Sequence, residues 1–453
     1  MDYKEAIAHL NGFINFERLP EPRYNTQLRD LTRFRNLLRE LGDPQSDYPI
    51  IHIAGTKGKG STAAILSSIL RTAGYRVGVY TSPHLVTVRE RMRVNGRMVS
   101  KPEFASLLSH INRVSASVNS VEEQTYRTVF EYLTAMTLLW FSRRKIDVAI
   151  IEAGLGGRLD ATVVIDPVMT IITPIGLDHT AVLGDTVSAI AADKAHVIKA
   201  GVPAVSARQI PEAQSELVKR AQEVSSLLTF ATGRSEFELV SASFRQQIFR
   251  TNRQWLGKET IHLNLPGRFQ LDNISTVLTS VEKLKKTFFN LTPQDVRDSL
   301  KKINLPGRMQ FKKGKPAVIL DVSHNVMSME ALLESLSELI GGRKLYVVFS
   351  AMRSKPVRQM LKLLSATAEK FYLAPISFPK GMSSEELRLE AQTLGISNVI
   401  CANIPSAFDL ACREAGQKGI VLATGSLYLT GEVIRHNRGL PAPPFDGRID
   451  DRI

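Results

Sequence analysis

Cysteine is nearly missing from this chain: 453 residues contain two, Cys401 and Cys412. They stand eleven residues apart and outside any Cys-x-x-Cys pair, which excludes a disulfide framework and a structural zinc site of that kind. Such usage suits a reducing compartment. Long apolar runs are missing as well. No stretch approaches the ~18 residues that a membrane-spanning helix needs. Met1-Asp2-Tyr3-Lys4-Glu5 lacks the apolar core of a secretion signal. Acid is scarce relative to base, with 44 Asp and Glu against 58 Lys and Arg, a net charge of +14. A basic surface attracts anions of any kind. Yet no Lys/Arg tract is interleaved with aromatics and no nucleic-acid module is recognisable. The basic cluster that does stand out, Arg89, Arg91, Arg93 and Arg97, surrounds a single hairpin turn, Val94-Asn95-Gly96-Arg97. A basic nucleic-acid-binding ATPase is therefore a minor alternative. The expected setting is cytoplasmic, with neither membrane nor nucleic acid as partner.

What is present is an alternation of strands and helices. At roughly 100–200 residues per domain, the length predicts two or three domains. Amphipathic helices are expected near residues 3–16 and 26–41, the second stopping at Leu41-Gly42-Asp43-Pro44. A long helix is expected from about Thr128 to Arg143. Asp147–Glu152 and Val168–Thr173 are continuous apolar runs, the pattern of strands buried on both faces. A second such series starts at Ala317–Asp321 and continues through 344–349, 370–374 and 419–424. The fold class is α/β with a mostly parallel sheet. The expected domains are 1–303, built around a phosphate loop, and a smaller Rossmann-like α/β domain, 304–453. The tail from Arg435, with Pro441, Pro443 and Pro444, reads as irregular.

The phosphate loop is Ile53-Ala54-Gly55-Thr56-Lys57-Gly58-Lys59-Gly60-Ser61-Thr62. An apolar run ends in glycines, and the glycines open into a helix. Glycines let backbone N–H groups turn on an anion, and a helix start adds unpaired N–H groups and a positive dipole end. Lys59 can reach terminal phosphates, and Ser61 or Thr62 can meet Mg²⁺. The match to G-x-x-x-x-G-K-[ST] is imperfect, with Ile53 at the first glycine and Gly60 where a hydroxyl belongs. The alternative is a glycine turn that binds nothing. Strand, glycines, lysine, hydroxyls and helix together argue against it.

Polar clusters stand where strands end: Thr81-Ser82-Pro83-His84, Glu152 to Asp160, and Gly176-Leu177-Asp178-His179. The carboxyl ends of buried parallel strands face a ligand crevice. Hydroxyl, carboxylate and imidazole there could share Mg²⁺ with phosphate oxygens and water. Glu152 is costly to bury unless it is paired or metal-bound. A lone His179 reads first as a surface or capping residue, and Lys194, within Ile190–His196, reads as a solvated helix face. Gly154–Gly157 falls short of a dinucleotide fingerprint because Leu159 holds the last glycine position. Asn264-Leu265-Pro266-Gly267-Arg268-Phe269-Gln270 recurs as Asn304-Leu305-Pro306-Gly307-Arg308-Met309-Gln310. The two copies read either as plain Pro-Gly turns or as holders of one or two phosphate-binding arginines.

Together these blocks resemble the folylpolyglutamate synthase/dihydrofolate synthase family of Mur ligases. The resemblance rests on Tyr3–Ala6, Gly55–Ser61, Thr81–Leu85, Glu90–Gly96, Phe130–Ala135, Gly154–Thr162, Gly176–His179 with Leu183-Gly184, Pro306–Arg308, His324-Asn325 and Gly425–Leu429, in family order over nearly the whole chain. It implies a two-domain Mur-ligase-like enzyme. ATP phosphorylates a substrate carboxylate, and the amine of L-glutamate attacks the acyl phosphate. The acceptor would be dihydropteroate or a reduced folate, with one or both activities present. Gly55, Thr56, Gly58, Lys59, Gly60, Ser61 and Thr62 would hold the phosphates. Ser82, Glu152 and His179 match Mg²⁺ ligands, with Ser61 as a further contact. Lys194 matches a lysine carried as a carbamate facing a second Mg²⁺. Asn273 and Asp321 would contact the nucleoside, while Arg308 and His324 would approach the phosphates from the second domain, so that the nucleotide lies between domains. The catalytic set implied is Lys59, Lys194 and His324. His84, Arg91 and Phe130 are the expected folate contacts. The partners are small molecules, the cofactors ATP and Mg²⁺, and the assembly a monomer. The chain also departs from the family pattern, with Lys57 for Asn, Val163 for Asn, His196 for Gly, Val322-Ser323 for Gly-Ala, and Ser354-Lys355-Pro356 for an acidic run. A different Mur-type amino-acid ligase is the second alternative.

Overall fold

The computed structural model describes residues 1–15, 31–118, 128–441 and 449. Its backbone contacts divide the chain into two units, Met1–Glu236 with Asp272–Leu300, and Phe237–Leu271 with Lys301–Ile453. The chain thus passes between units three times, where the sequence reading has one boundary near residue 303. The added excursion, Phe237–Leu271, goes with the second unit because Phe244 is buried in that unit's apolar core, stacked on Phe311 with ring centroids 4.9 Å apart.

The first unit is built on eight strands: β1 (Ile50–Ala54), β2 (Val77–Tyr80), β3 (Met92–Val94), β4 (Arg97–Met98), β5 (Val148–Glu152), β6 (Met169–Ile172), β7 (Ala204–Ser206) and β8 (Leu228–Phe230). Their order across the sheet is β4-β3-β2-β5-β1-β6-β7-β8. From β2 to β8 every neighbour is parallel, and β3 and β4 add an antiparallel edge. Every residue of β1, β5 and β6 is buried, as continuous Ile/Val runs require of a sheet covered on both faces. The hairpin turn at Asn95-Gly96 has φ of 48° and 77°, the left-handed pair that a two-residue connection needs.

Helices form where sequence signals place them. Asp2 and Glu5 make a reciprocal cap for Tyr3–Asn11, which ends at Gly12, short of residue 16. Thr128 and Glu131 do the same for Val129–Arg143. The helix expected from residue 26 is seen as Leu31–Glu40, and residues 26–30 lie outside the described set. The helix Leu427–His436 runs through Arg435, so the irregular tail starts later than expected. Pro443 and Pro444 lie outside the described residues.

The second unit holds a three-stranded antiparallel sheet, β9 (Phe237–Ala242), β10 (Gln247–Thr251) and β11 (Ile261–Leu263), in the order β11-β10-β9. A six-stranded sheet follows, with β12 (Gln310–Lys312), β13 (Ala317–Leu320), β14 (Leu345–Phe349), β15 (Ala368–Leu373), β16 (Asn398–Ile400) and β17 (Ile420–Thr424) in the order β12-β13-β17-β14-β15-β16. It is parallel except at β12. Ile319, Val347, Phe349 and Leu422 pack there against Met329, Leu332, Leu336 and Met360. Among the described residues, no helix is long and apolar enough to cross a membrane.

Candidate active site

In the first unit the carboxyl ends of β2, β5, β1 and β6 are neighbours. The chain leaves β1 toward β2 on one side and later enters β6 on the other, so β1 lies at a topological switch point, where open α/β sheets bind ligands. The loop after β1 turns directly into the helix Lys59–Thr72, with Gly58 capping it at φ +81°. A methyl group on Gly58 would sit 2.5 Å from Asn273 Oδ1, so the loop demands glycine there twice over. The Thr56 and Lys57 amides both donate to the Pro174 carbonyl, at 3.0 and 3.2 Å. The Thr56 hydroxyl donates to Gly176 O and accepts from Gly176 N. The glycine loop is thereby stitched to the segment after β6. Not all its amides turn inward, as the sequence reading expects. The amides that helix geometry leaves without intrahelical carbonyls are those at the start of the helix, from Lys59 to Ser61, whereas the Thr62 amide donates to Gly58 O at 2.8 Å.

Lys59 bends back over this loop. Its Nζ donates to Gly55 O at 3.1 Å and lies 3.9 Å from Glu152 Oε1. Glu152 ends β5 and is 4% exposed. Ser61 and Thr62 are buried in the first turn of the helix. Ser82 lies in the loop beyond β2, ahead of a cis peptide to Pro83.

Lys194 overturns its local reading as a solvated residue. It lies in the helix Val187–Ala195 and is 5% exposed. Burial pushes its amine down to about 7, the Lys59 cation adds to that, and Asp193, Asp178 and Asp160 pull it back up. Lys194, Lys59 and three carboxylates thus share one electrostatic neighbourhood. Sequence reasoning passed over these three aspartates as neighbours of Lys194, although Asp160 and Asp178 stand inside its motifs. Asp160 is buried, which raises its pKa against the hydrogen bonds it accepts from Thr162 and from the Leu155 and Gly154 amides. The same Thr162 hydroxyl lies 2.8 Å from Nε2 of His52 in the middle of β1. Burial drives His52 down to about 3, so its imidazole is neutral. His179 takes a left-handed conformation, φ 52°, ahead of the short helix Thr180–Leu183. Its side chain is 54% exposed, with Nε2 4.0 Å from Asp178 Oδ1.

The expected folate residues are placed in two contacts. Arg91, almost fully buried, donates from Nε to His84 Nδ1 at 3.0 Å. The Phe130 ring packs flush on Gly154, where a methyl would meet Cζ at 2.6 Å, and faces Tyr80 at 5.8 Å. Of the other hairpin arginines, Arg89 and Arg93 bond to the backbone, while Arg97 is exposed. Arg89 donates to Val99 O and Arg93 to Glu90 O.

The second unit carries its own polar cluster at the end of β13. Asp321 is buried and accepts the Met309 and Ser323 amides, both at 2.8 Å. Burial raises its pKa, against the pull of Arg308. His324 holds its Nδ1 2.9 Å from Val322 O and donates its amide to Ser328 Oγ. Of the two Pro-Gly-Arg turns, Arg268 pairs with Glu338 at 2.9 Å, while Arg308 lies in the field of Asp321.

The chain matches the Mur ligase middle domain over residues 53–281 and the Mur ligase glutamate ligase domain over residues 307–427. It is 33% identical over 440 residues to a dihydrofolate synthase/folylpolyglutamate synthase of Bacillus subtilis, covering 95% of this chain and 98% of that one. The chain belongs to the folylpolyglutamate synthase/dihydrofolate synthase family of Mur ligases. Its fold is also that of solved members. Folylpolyglutamate synthase of Mycobacterium tuberculosis, complexed with ADP and AMPPCP, superposes with a TM-score of 0.85 at 28% identity, over 98% of this chain and 100% of that one. The bifunctional synthase of Yersinia pestis, complexed with AMPPNP and a Mn ion, gives 0.80 at 27%, over 97% and 98%. In this Mur ligase the middle-domain match encloses Lys59, Glu152, His179, Lys194 and Asn273, and the glutamate-ligase match encloses Arg308, Asp321 and His324.

Proposed function

We propose that this chain is an ATP-dependent ligase that joins L-glutamate to the carboxylate of a folate or of dihydropteroate. The observation that carries the reading is Lys59, bent across the glycine loop within 3.9 Å of the buried Glu152 carboxylate, in the same electrostatic neighbourhood as a buried Lys194. A carboxylate is a poor electrophile. When its oxygen attacks the γ-phosphorus of ATP, ADP leaves and an acyl phosphate forms. The glutamate amine then attacks the acyl carbon, the amine sheds a proton, and phosphate departs. Two anions must approach one another for the first step, so fixed positive charge is what the protein supplies. Lys59 and the first-turn amides of its helix serve that end. We assign Arg91, held by His84, to the acidic tail of the pterin substrate, and Phe130 to its ring system. In the second unit, Arg308, Asp321 and His324 are assigned to the nucleotide.

The donor set fits Mg²⁺ shared with a nucleotide. Among the described residues no three His, Cys, Asp or Glu side chains form a metal cluster, so a cage made by protein alone is not built here. A single buried carboxylate, Glu152 at the end of β5, suits an ion that takes most of its oxygens from phosphate and water. Glu152, Ser82 and His179 would hold it, with Ser61 as a further contact, and the ion would neutralise triphosphate charge. For Lys194 we favour the carbamate. An amine with a pKa of about 7 is largely neutral at physiological pH and can add CO₂ with loss of a proton, turning a neutral amine into a carbamate anion. Both cysteines are free thiols, which suits the cytoplasm, and we take the enzyme to act as a monomer.

The purified protein should release phosphate from ATP only when L-glutamate and a pterin acid are both present. Comparing dihydropteroate with tetrahydrofolate as acceptor separates the two activities. Phosphate release indifferent to both substrates would overturn the reading, and preference for another amino acid would move the chain to a different Mur-type reaction.

A further inference from the structure

One carboxylate ties the loop after β5 to the helix that carries Lys194. Asp193 Oδ1 accepts the Gly157 amide at 2.8 Å and the Arg158 amide at 3.5 Å. Its Oδ2 lies 3.9 Å from Arg158 Nε. The approach leaves no room for a side chain on the loop. A methyl on Gly156, whose φ is +74°, would sit 2.4 Å from Asp193 Oδ1. One on Gly157 would sit 2.7 Å from the Asp193 carbonyl oxygen and 2.9 Å from Lys194 Cα. Loop backbone is therefore pressed directly on helix backbone at Lys194 itself. The helix end is further stiffened by His196, whose Nδ1 lies 2.9 Å from Ala192 O and 3.2 Å from Asp193 O.

Resting on the ligase reading, we propose that Asp193 is a positioning residue: by gripping the Gly157 amide it seats Lys194 against the loop that leaves Glu152. Glu152 ends its strand a few residues before Gly157, so the grip sets the Lys194 backbone in register with that carboxylate. Asp193 acts through Lys194, so its loss lowers turnover without weakening nucleotide binding. The interaction needs an oxygen acceptor at this position and not a charge. The exposed Arg158 pair is of the kind worth little.

The test compares Asp193→Ala with Asp193→Asn in the full-length protein, the second keeping an oxygen for the Gly157 amide. Asp193→Leu, similar in shape to Asn but without an oxygen, replaces the alanine variant where that one fails to fold. Asp193→Ala is expected to lower kcat by about tenfold to a hundredfold with KM for ATP within about twofold, the scale of a misplaced reacting group. Asp193→Asn is expected to stay within about threefold of the parent on the same argument. Amide hydrogen exchange at Gly157 should quicken in the alanine variant and not in the asparagine one. Unchanged kcat in Asp193→Ala, equal losses in both variants, or unchanged Gly157 exchange would each overturn the proposal. A parent protein without glutamate-dependent phosphate release sinks the ligase reading instead, and the exchange comparison still reports on the tie.

Discussion

Two lysines that share one electrostatic neighbourhood differ in burial. Lys59 is 16% exposed in its side chain and has a carboxylate within 3.9 Å, so its cation is matched. Lys194 is buried and pays for it in protonation, falling to about 7. Replacing Lys59 by alanine should therefore cost transition-state stabilisation and not the fold. Turnover is expected to drop by at least about a hundredfold, the usual loss on removing a preorganised charge at the reacting centre, with the melting temperature close to that of the parent. Steady-state kinetics and thermal unfolding on the same sample check this, and full turnover in the variant would remove Lys59 from the mechanism. At this scale the sequence was most legible for Lys59, whose glycine neighbours announce its task. It was least legible for Lys194, because the charges of Asp160 and Asp178 and the loop packed on its backbone lie elsewhere along the chain.

Among the elements, the helix Leu427–His436 carries a buried acid that its helical pattern does not reveal. Glu432 accepts the Ser377 amide at 2.8 Å and lies near Arg435, while Tyr428 on the same helix stacks on Phe378 at 4.3 Å. Burial raises its carboxyl from 4.5 to about 7, against the Ser377 hydrogen bonds and the Arg435 charge. The folded state then binds this proton more tightly than the unfolded chain does. Its contribution is complete below pH 4.5 and is lost as pH rises to about 7. The stability of the parent relative to Glu432→Gln, from urea unfolding at a series of pH values, should fall across that window by up to roughly 3 kcal/mol. A difference that does not change with pH would refute the assignment. The strands around this helix followed from apolar runs, whereas the helix itself was not read from the sequence, which placed an irregular tail from Arg435. The proton on Glu432 depends on its burial in the folded unit, which no local pattern reports.

For the whole molecule, the second unit is assembled from two separated stretches. A fragment beginning at residue 304 would lack β9–β11 and Phe244, a member of the buried apolar cluster. Phe244→Ala in the full chain is expected to cost about 3 kcal/mol or more, as truncation of a buried aromatic does, read as a lower urea midpoint. The fragment 304–453 is expected to unfold less cooperatively than one that also retains 237–271, as followed by circular dichroism. Equal cooperativity would show that the excursion adds nothing to the unit.

Contiguous residues determined the α/β class, the buried strands of the two mostly parallel sheets, the helix caps and the phosphate loop, because periodicity, turn chemistry and the strand-glycine-helix order are local properties. Tertiary structure alone decided that Thr56 and Lys57 spend their amides on Pro174, that Lys194 is buried and gripped from behind by Asp193, and that residues 237–271 belong with the second unit. Burial and pairing are set by partners distant in the chain, and a sequence read in order does not place those partners together.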